Sequence, residues 1–143
     1  MQLNDYKKCF ILSYDQFITE NKILSNQIYK NVRYEKMEDV CRVNLPDNQF
    51  FFFKDGKLKM IYISGDALAK KIWGEFNSTT KIKSPEKTVP SRAGKTSNQV
   101  IFAQQGITAS LANDDVDFIE LYPPCALHDY LENIYREQQP FIR

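Results

Sequence analysis

Histidine is all but missing from this chain. The 143 residues include one, His128, so the commonest general base and metal ligand at neutral pH is nearly excluded. Cysteine is scarce and scattered. Cys9, Cys41 and Cys125 are odd in number and widely spaced, which suits neither a disulfide framework nor a zinc site. They read as free thiols in a reducing compartment. Long hydrophobic runs are absent. Cys9 to Leu12 is too short for a signal segment, and no stretch approaches the length of a membrane span. A soluble, cytoplasmic protein is expected. Charge of one sign is lacking as well. Nineteen Lys and Arg face eighteen Asp and Glu, a net of +1 that predicts no general attraction to nucleic acid or membrane.

Aromatic residues are plentiful at 13%, including four consecutive phenylalanines at Phe50, Phe51, Phe52 and Phe53. Hydrophobic residues at 43% and charged residues at 26% suit a packed core. The length fits one domain spanning residues 1–143. Charge is unevenly spread. Lys70 to Lys95 holds seven basic and two acidic residues, whereas Thr96 to Tyr135 holds six acidic residues and no Lys or Arg. This is either two solvated faces of opposite sign or an acidic surface aimed at a basic partner.

Near the N-terminus, Cys9 to Leu12 and Phe17 to Leu24 read as strands, the second on a weak period of two. Tyr34 to Val43 reads as a short helix, because Tyr34, Met37, Val40 and Cys41 fall at helical spacing. Gln49 to Lys54 and Lys57 to Ile63 form a hairpin around Asp55-Gly56, a pair suited to the positive φ angles of a type I′ turn. The polar Ser64-Gly65-Asp66 can cap a helix over Ala67 to Phe76. Asn77 to Ser97 is a long polar loop and the best candidate for a mobile excursion. Asn98 to Gln104, Ile107 to Ala112 and Val116 to Tyr122 form a three-strand meander. Ala126 to Glu137 is an amphipathic helix with Leu127, Tyr130, Leu131, Ile134 and Tyr135 on one stripe. Phe141 and Ile142 are placed to pin the tail. A helix leading to Asn48-Gln49 and another leading to Asn98-Gln99 form a faint internal echo. The fold class is α+β, an antiparallel sheet of five or more strands with two to three helices on one face.

The chemical motifs fail one by one. Arg92-Ala93-Gly94-Lys95-Thr96 ends like a phosphate-binding loop, but Val89 stands where its first glycine belongs. Asn113, Asp115 and Asp117 alternate like calcium ligands, but Phe118 and Pro124 occupy the positions of the required glycine and glutamate. A hairpin turn explains them as well. His128 has no nucleophile beside it. Two carboxylates, for instance Glu120 and Asp129, can still meet in the fold and act on a glycoside. No cofactor and no metal site is expected.

The stretch Gln104 to Arg143 resembles the C-terminal part of small bacterial proteins found beside secreted polymorphic toxins, which serve as immunity factors. Gly106-Ile107, Tyr122-Pro123-Pro124-Cys125 and the Tyr130-Leu131-Ile134-Tyr135 stripe carry the likeness. The helix followed by a glycine-punctuated sheet also resembles β-lactamase-inhibitor-like domains. Neither likeness carries over a functional residue. The leading expectation is a protein-binding module, an immunity protein that occludes a toxin. Its interface would carry Asp114, Asp115, Asp117, Glu120, Asp129 and Glu132, and its partner would be a basic toxin domain rather than nucleic acid or membrane. The alternatives are a small carboxylate-dependent enzyme or ligand-binding domain, and a structural subunit that dimerises through the phenylalanine strand.

Overall fold

A computed structural model describes residues 1–65 and 67–137. Its elements are α1 (Leu3–Lys8), α2 (Tyr14–Glu20), β1 (Ile28–Tyr34), β2 (Met37–Leu45), β3 (Gln49–Lys54), β4 (Lys57–Ser64), α3 (Ala67–Thr79), β5 (Lys87–Pro90), β6 (Asn98–Phe102), β7 (Ile107–Ala112), β8 (Asp115–Leu121) and α4 (Leu127–Asn133). The class is α+β. All eight strands join one antiparallel sheet in the order β1-β2-β3-β4-β8-β7-β6-β5. Two four-strand meanders therefore meet along β4 and β8. After β4 the chain crosses through α3 to the far edge at β5 and works back inwards.

The phenylalanine strand shows how the sheet is covered. Successive side chains point to opposite faces. Phe51 and Phe53 enter one core with Leu3, Tyr6, Phe17, Ala69, Ile72 and Phe76, so α1, α2 and α3 share that face. Phe52 enters a second core with Tyr34, Met60, Ile101, Tyr122 and Tyr130, which lies under α4. The helix expected over Ala126 to Glu137 is shorter, ending at Asn133 with Ile134 and Tyr135 beyond it, and it packs on the face opposite the other three. Among the described residues, no helix is long and apolar enough to cross a membrane.

The Asp55-Gly56 hairpin forms as expected, with φ of 52° and 77°. The three-strand meander forms too. Gly106 sits at φ 68° between β6 and β7, where an added Cβ would lie 2.2 Å from the Tyr122 carbonyl oxygen. Four expectations need correction. Cys9 to Leu12 is a 3-10 turn over Cys9–Ile11, not a strand. Phe17 to Leu24 is mostly α2. Ser13 caps this helix by accepting from the Gln16 amide while the Gln16 side chain accepts from the Ser13 amide. Tyr34 to Val43 is a turn followed by β2. Glu35 and Asp39 take left-handed φ of 51° and 53°, and extra residues break the period of two into a false helical spacing. Asn77 to Ser97 is not wholly loop, because α3 runs to Thr79 and β5 pairs with β6. Asn48-Gln49 leads into the third strand of its meander and Asn98-Gln99 into the second of the other, so the echo joins inequivalent places. The cap at Asp66 and the pins at Phe141 and Ile142 lie outside the described residues.

Candidate functional site

Among the described residues Glu120 is the deepest charge, and β8 explains its position. Ile119 and Leu121 enter one core and Tyr122 the one under α4, so the strand's alternation turns Phe118 and Glu120 to the α4 face, where Phe118 meets Tyr62 and Arg92. Glu120 pairs across the sheet with Tyr62 of β4 and Thr108 of β7. Its residue surface is 0% exposed. A carboxylate so placed needs partners, because burying an unpaired charge costs several kcal/mol.

Three elements supply them. Tyr34, at the end of β1, donates its hydroxyl proton to Glu120 Oε2. Tyr130 of α4 donates to Oε1. Arg92, just beyond β5, brings Nη1 to 3.8 Å from Oε2 and donates from Nη2 to the Tyr34 oxygen at 2.9 Å. Arg92 Nε also pairs with Glu35 at 3.2 Å. The guanidinium lies 4.3 Å from the Phe118 ring centroid, 5.3 Å from that of Tyr34 and 5.4 Å from that of Tyr62. Burial raises the Glu120 pKa, against the pull of Arg92 and the two tyrosine hydrogen bonds. Burial and the neighbouring Glu120 raise both Tyr34 and Tyr130, so their hydroxyls stay protonated and able to donate.

The polar network extends sideways across the sheet. Gln99 donates to the Tyr130 oxygen at 3.2 Å, and Thr108 and Tyr122 share a hydrogen bond of 2.8 Å. Ser110 donates to Asp117 at 2.9 Å and bonds Ser91. Gln99 Oε1 is a buried acceptor without a partner among the described residues. Three surface cavities of about 310 to 350 Å³ lie elsewhere. One involves Tyr14 and Cys41, one Lys87 and Tyr135, and one Gln2 and Glu75. None of the three is lined by Glu120, Glu35 or Arg92. Two carboxylates do converge, but they are Glu35 and Glu120 rather than Glu120 and Asp129, and a guanidinium fills the space between them. The arrangement holds four parts of the chain together and opens to no substrate through these cavities.

The other expected interface residues are dispersed. Asp114 and Asp115 are exposed at the β7–β8 turn, and Asp117 is half-buried against Ser110. Asp129 and Glu132 are exposed on α4, where Glu132 meets His128 at 2.7 Å, one helical turn away. Glu120 lies beneath them and cannot serve as a surface charge. Among the described residues, no three His, Cys, Asp or Glu side chains cluster as metal ligands would. Sequence reasoning passed over Tyr34, Glu35, Arg92 and Tyr130 as a set. The one legible sign was Glu120 itself, a lone charge within the apolar run from Phe118 to Tyr122. Compared with protein-family models, curated proteins and solved structures, the chain matches none.

Proposed function

We propose that the chain is a cytoplasmic protein-binding module, an immunity protein that neutralises a bacterial toxin by occluding it. The observation that carries this reading is the state of Glu120. Among the described residues, Glu120 is the one fully buried carboxylate, and it is engaged by Arg92, Tyr34 and Tyr130. That favours a structural lock over a catalytic acid. Of the six acidic residues expected at the interface, Asp114, Asp115, Asp129 and Glu132 are exposed and left for a partner. They can steer a basic toxin domain, because exposed charge chiefly raises the rate of encounter.

Co-expression tests the proposal. A toxin gene found beside this one should arrest growth when expressed alone, and this chain should restore growth. Growth that stays arrested although both proteins accumulate, together with no binding in solution, would refute the toxin assignment.

A further inference from the structure

A second arginine, Arg42, stands on the α4 face of the sheet, outside the Glu120 network. Arg42 of β2 pairs with Phe52 of β3, which belongs to the core under α4, and with Tyr29 of the edge strand β1. Its guanidinium lies 4.6 Å from the Tyr29 ring centroid and 5.7 Å from that of Phe50. Nε donates to Asn44 Oδ1 at 2.9 Å, which sets the orientation of the planar group. No acidic side chain pairs with Arg42 among the described residues. Its two terminal nitrogens therefore carry donors that no described acceptor takes. Arg42 is half-buried and Tyr29 is 43% exposed.

We infer that Arg42, held by Tyr29, Phe50 and Asn44, is a docking point for a carboxylate side chain of a protein partner. Charge complementarity selects the occupant. A guanidinium already oriented by rings and a hydrogen bond loses little freedom on taking a carboxylate in bidentate fashion. The surroundings favour a protein over a small anion. The site lies on the sheet outside the three cavities described, and a half-buried arginine beside an exposed tyrosine has the composition of binding hot spots. The inference rests on the protein-binding reading but not on the toxin class. A toxin could still bind through Asp114 and Asp115 if this site proved empty, so the two failures are distinguishable.

The test follows the Arg42 Nε–H resonance by NMR while the full chain is titrated with a capped Leu-Glu-Leu peptide, its Leu-Gln-Leu counterpart, or inorganic phosphate. The expected result is a saturable shift with the glutamate peptide, several-fold weaker with the glutamine peptide and weaker still with phosphate. Arg92 should not move. Followed through the Asn44 side-chain amide resonances, which all the variants keep, binding of the glutamate peptide should weaken in Arg42→Lys and vanish in Arg42→Gln, both checked for native near-ultraviolet dichroism. The inference fails if no saturable shift occurs up to about 10 mM peptide, a limit that already corresponds to very weak binding. It fails equally if the two peptides bind alike or phosphate binds best. A concentration-dependent dimer lost in Arg42→Gln would put a second copy at the site and also overturn it.

Discussion

Arg92 and Arg42 lie on the same face of one sheet, each against aromatic rings, yet their charges are handled in opposite ways. Arg92 is compensated by Glu35 and Glu120 and meets the Tyr34 hydroxyl, joining the β1–β2 turn, the segment after β5 and, through Glu120, β8 and α4. Arg42 is oriented by rings and one amide and has no acidic partner among the described residues. A guanidinium closed by carboxylates fixes the fold, because removing either side leaves a buried charge. One left open costs the fold little and keeps its hydrogen-bonding capacity for something else.

The largest expected effect lies at the closed site. Arg92→Ala should destabilise the fold by about 3–5 kcal/mol, because Glu120 would stay buried without its cation. Urea unfolding measures this. Adding Glu120→Gln to Arg92→Ala should recover part of the loss, since the two side chains are coupled. Simple additivity would show that the lock does not exist.

The pH dependence of the closed site comes next. A folded pKa raised above the unfolded value means that the fold favours the protonated carboxyl. The Glu120 contribution is therefore full below the unfolded glutamate value and is lost as pH rises through the folded one. The stability of the natural chain minus that of Glu120→Gln should fall as pH is raised above about 4.5. Tyr34 and Tyr130, raised in the same sense, should cost further stability above about pH 10. A difference that rises with pH would mean that Arg92 outweighs burial.

The open site should register less in the same assay. Arg42→Ala should cost about 1–2 kcal/mol, the worth of a half-buried cation–π contact. A loss as large as that of Arg92→Ala would erase the distinction between the two arginines.

Much of the fold was legible in the chain. Asp55-Gly56, the three-strand meander and the apolar stripe of α4 each follow a regular period or a turn with one demanding geometry. The failures cluster where the period is broken. In β2 the left-handed Asp39 and its irregular register mimic helical spacing. In α2 the deciding signal was present but overlooked, since Ser13 and Gln16 form a capping box just ahead of Phe17. The polar network was hidden for a different reason. Glu120 stands out in its apolar strand, but Arg92 lies in a basic polar stretch where nothing local marks it. Only the crossing from α3 to β5 at the far edge, with the return to β8, brings Arg92 against Tyr34 and Glu120. The same return places Glu120 under α4 and leaves Asp114 and Asp115 exposed at a turn.

The central claim is that this chain binds through its surface and keeps Glu120 for stability. It is tested most directly by binding kinetics against a toxin domain that co-expression with this chain neutralises, using folded Glu120→Gln and the double variant Asp114→Lys/Asp115→Lys. Glu120→Gln should leave the dissociation constant unchanged. The double variant should associate more slowly, with overall stability within about 0.5 kcal/mol of the natural chain. A natively folded Glu120→Gln that no longer binds, beside a double variant that binds normally, would contradict it.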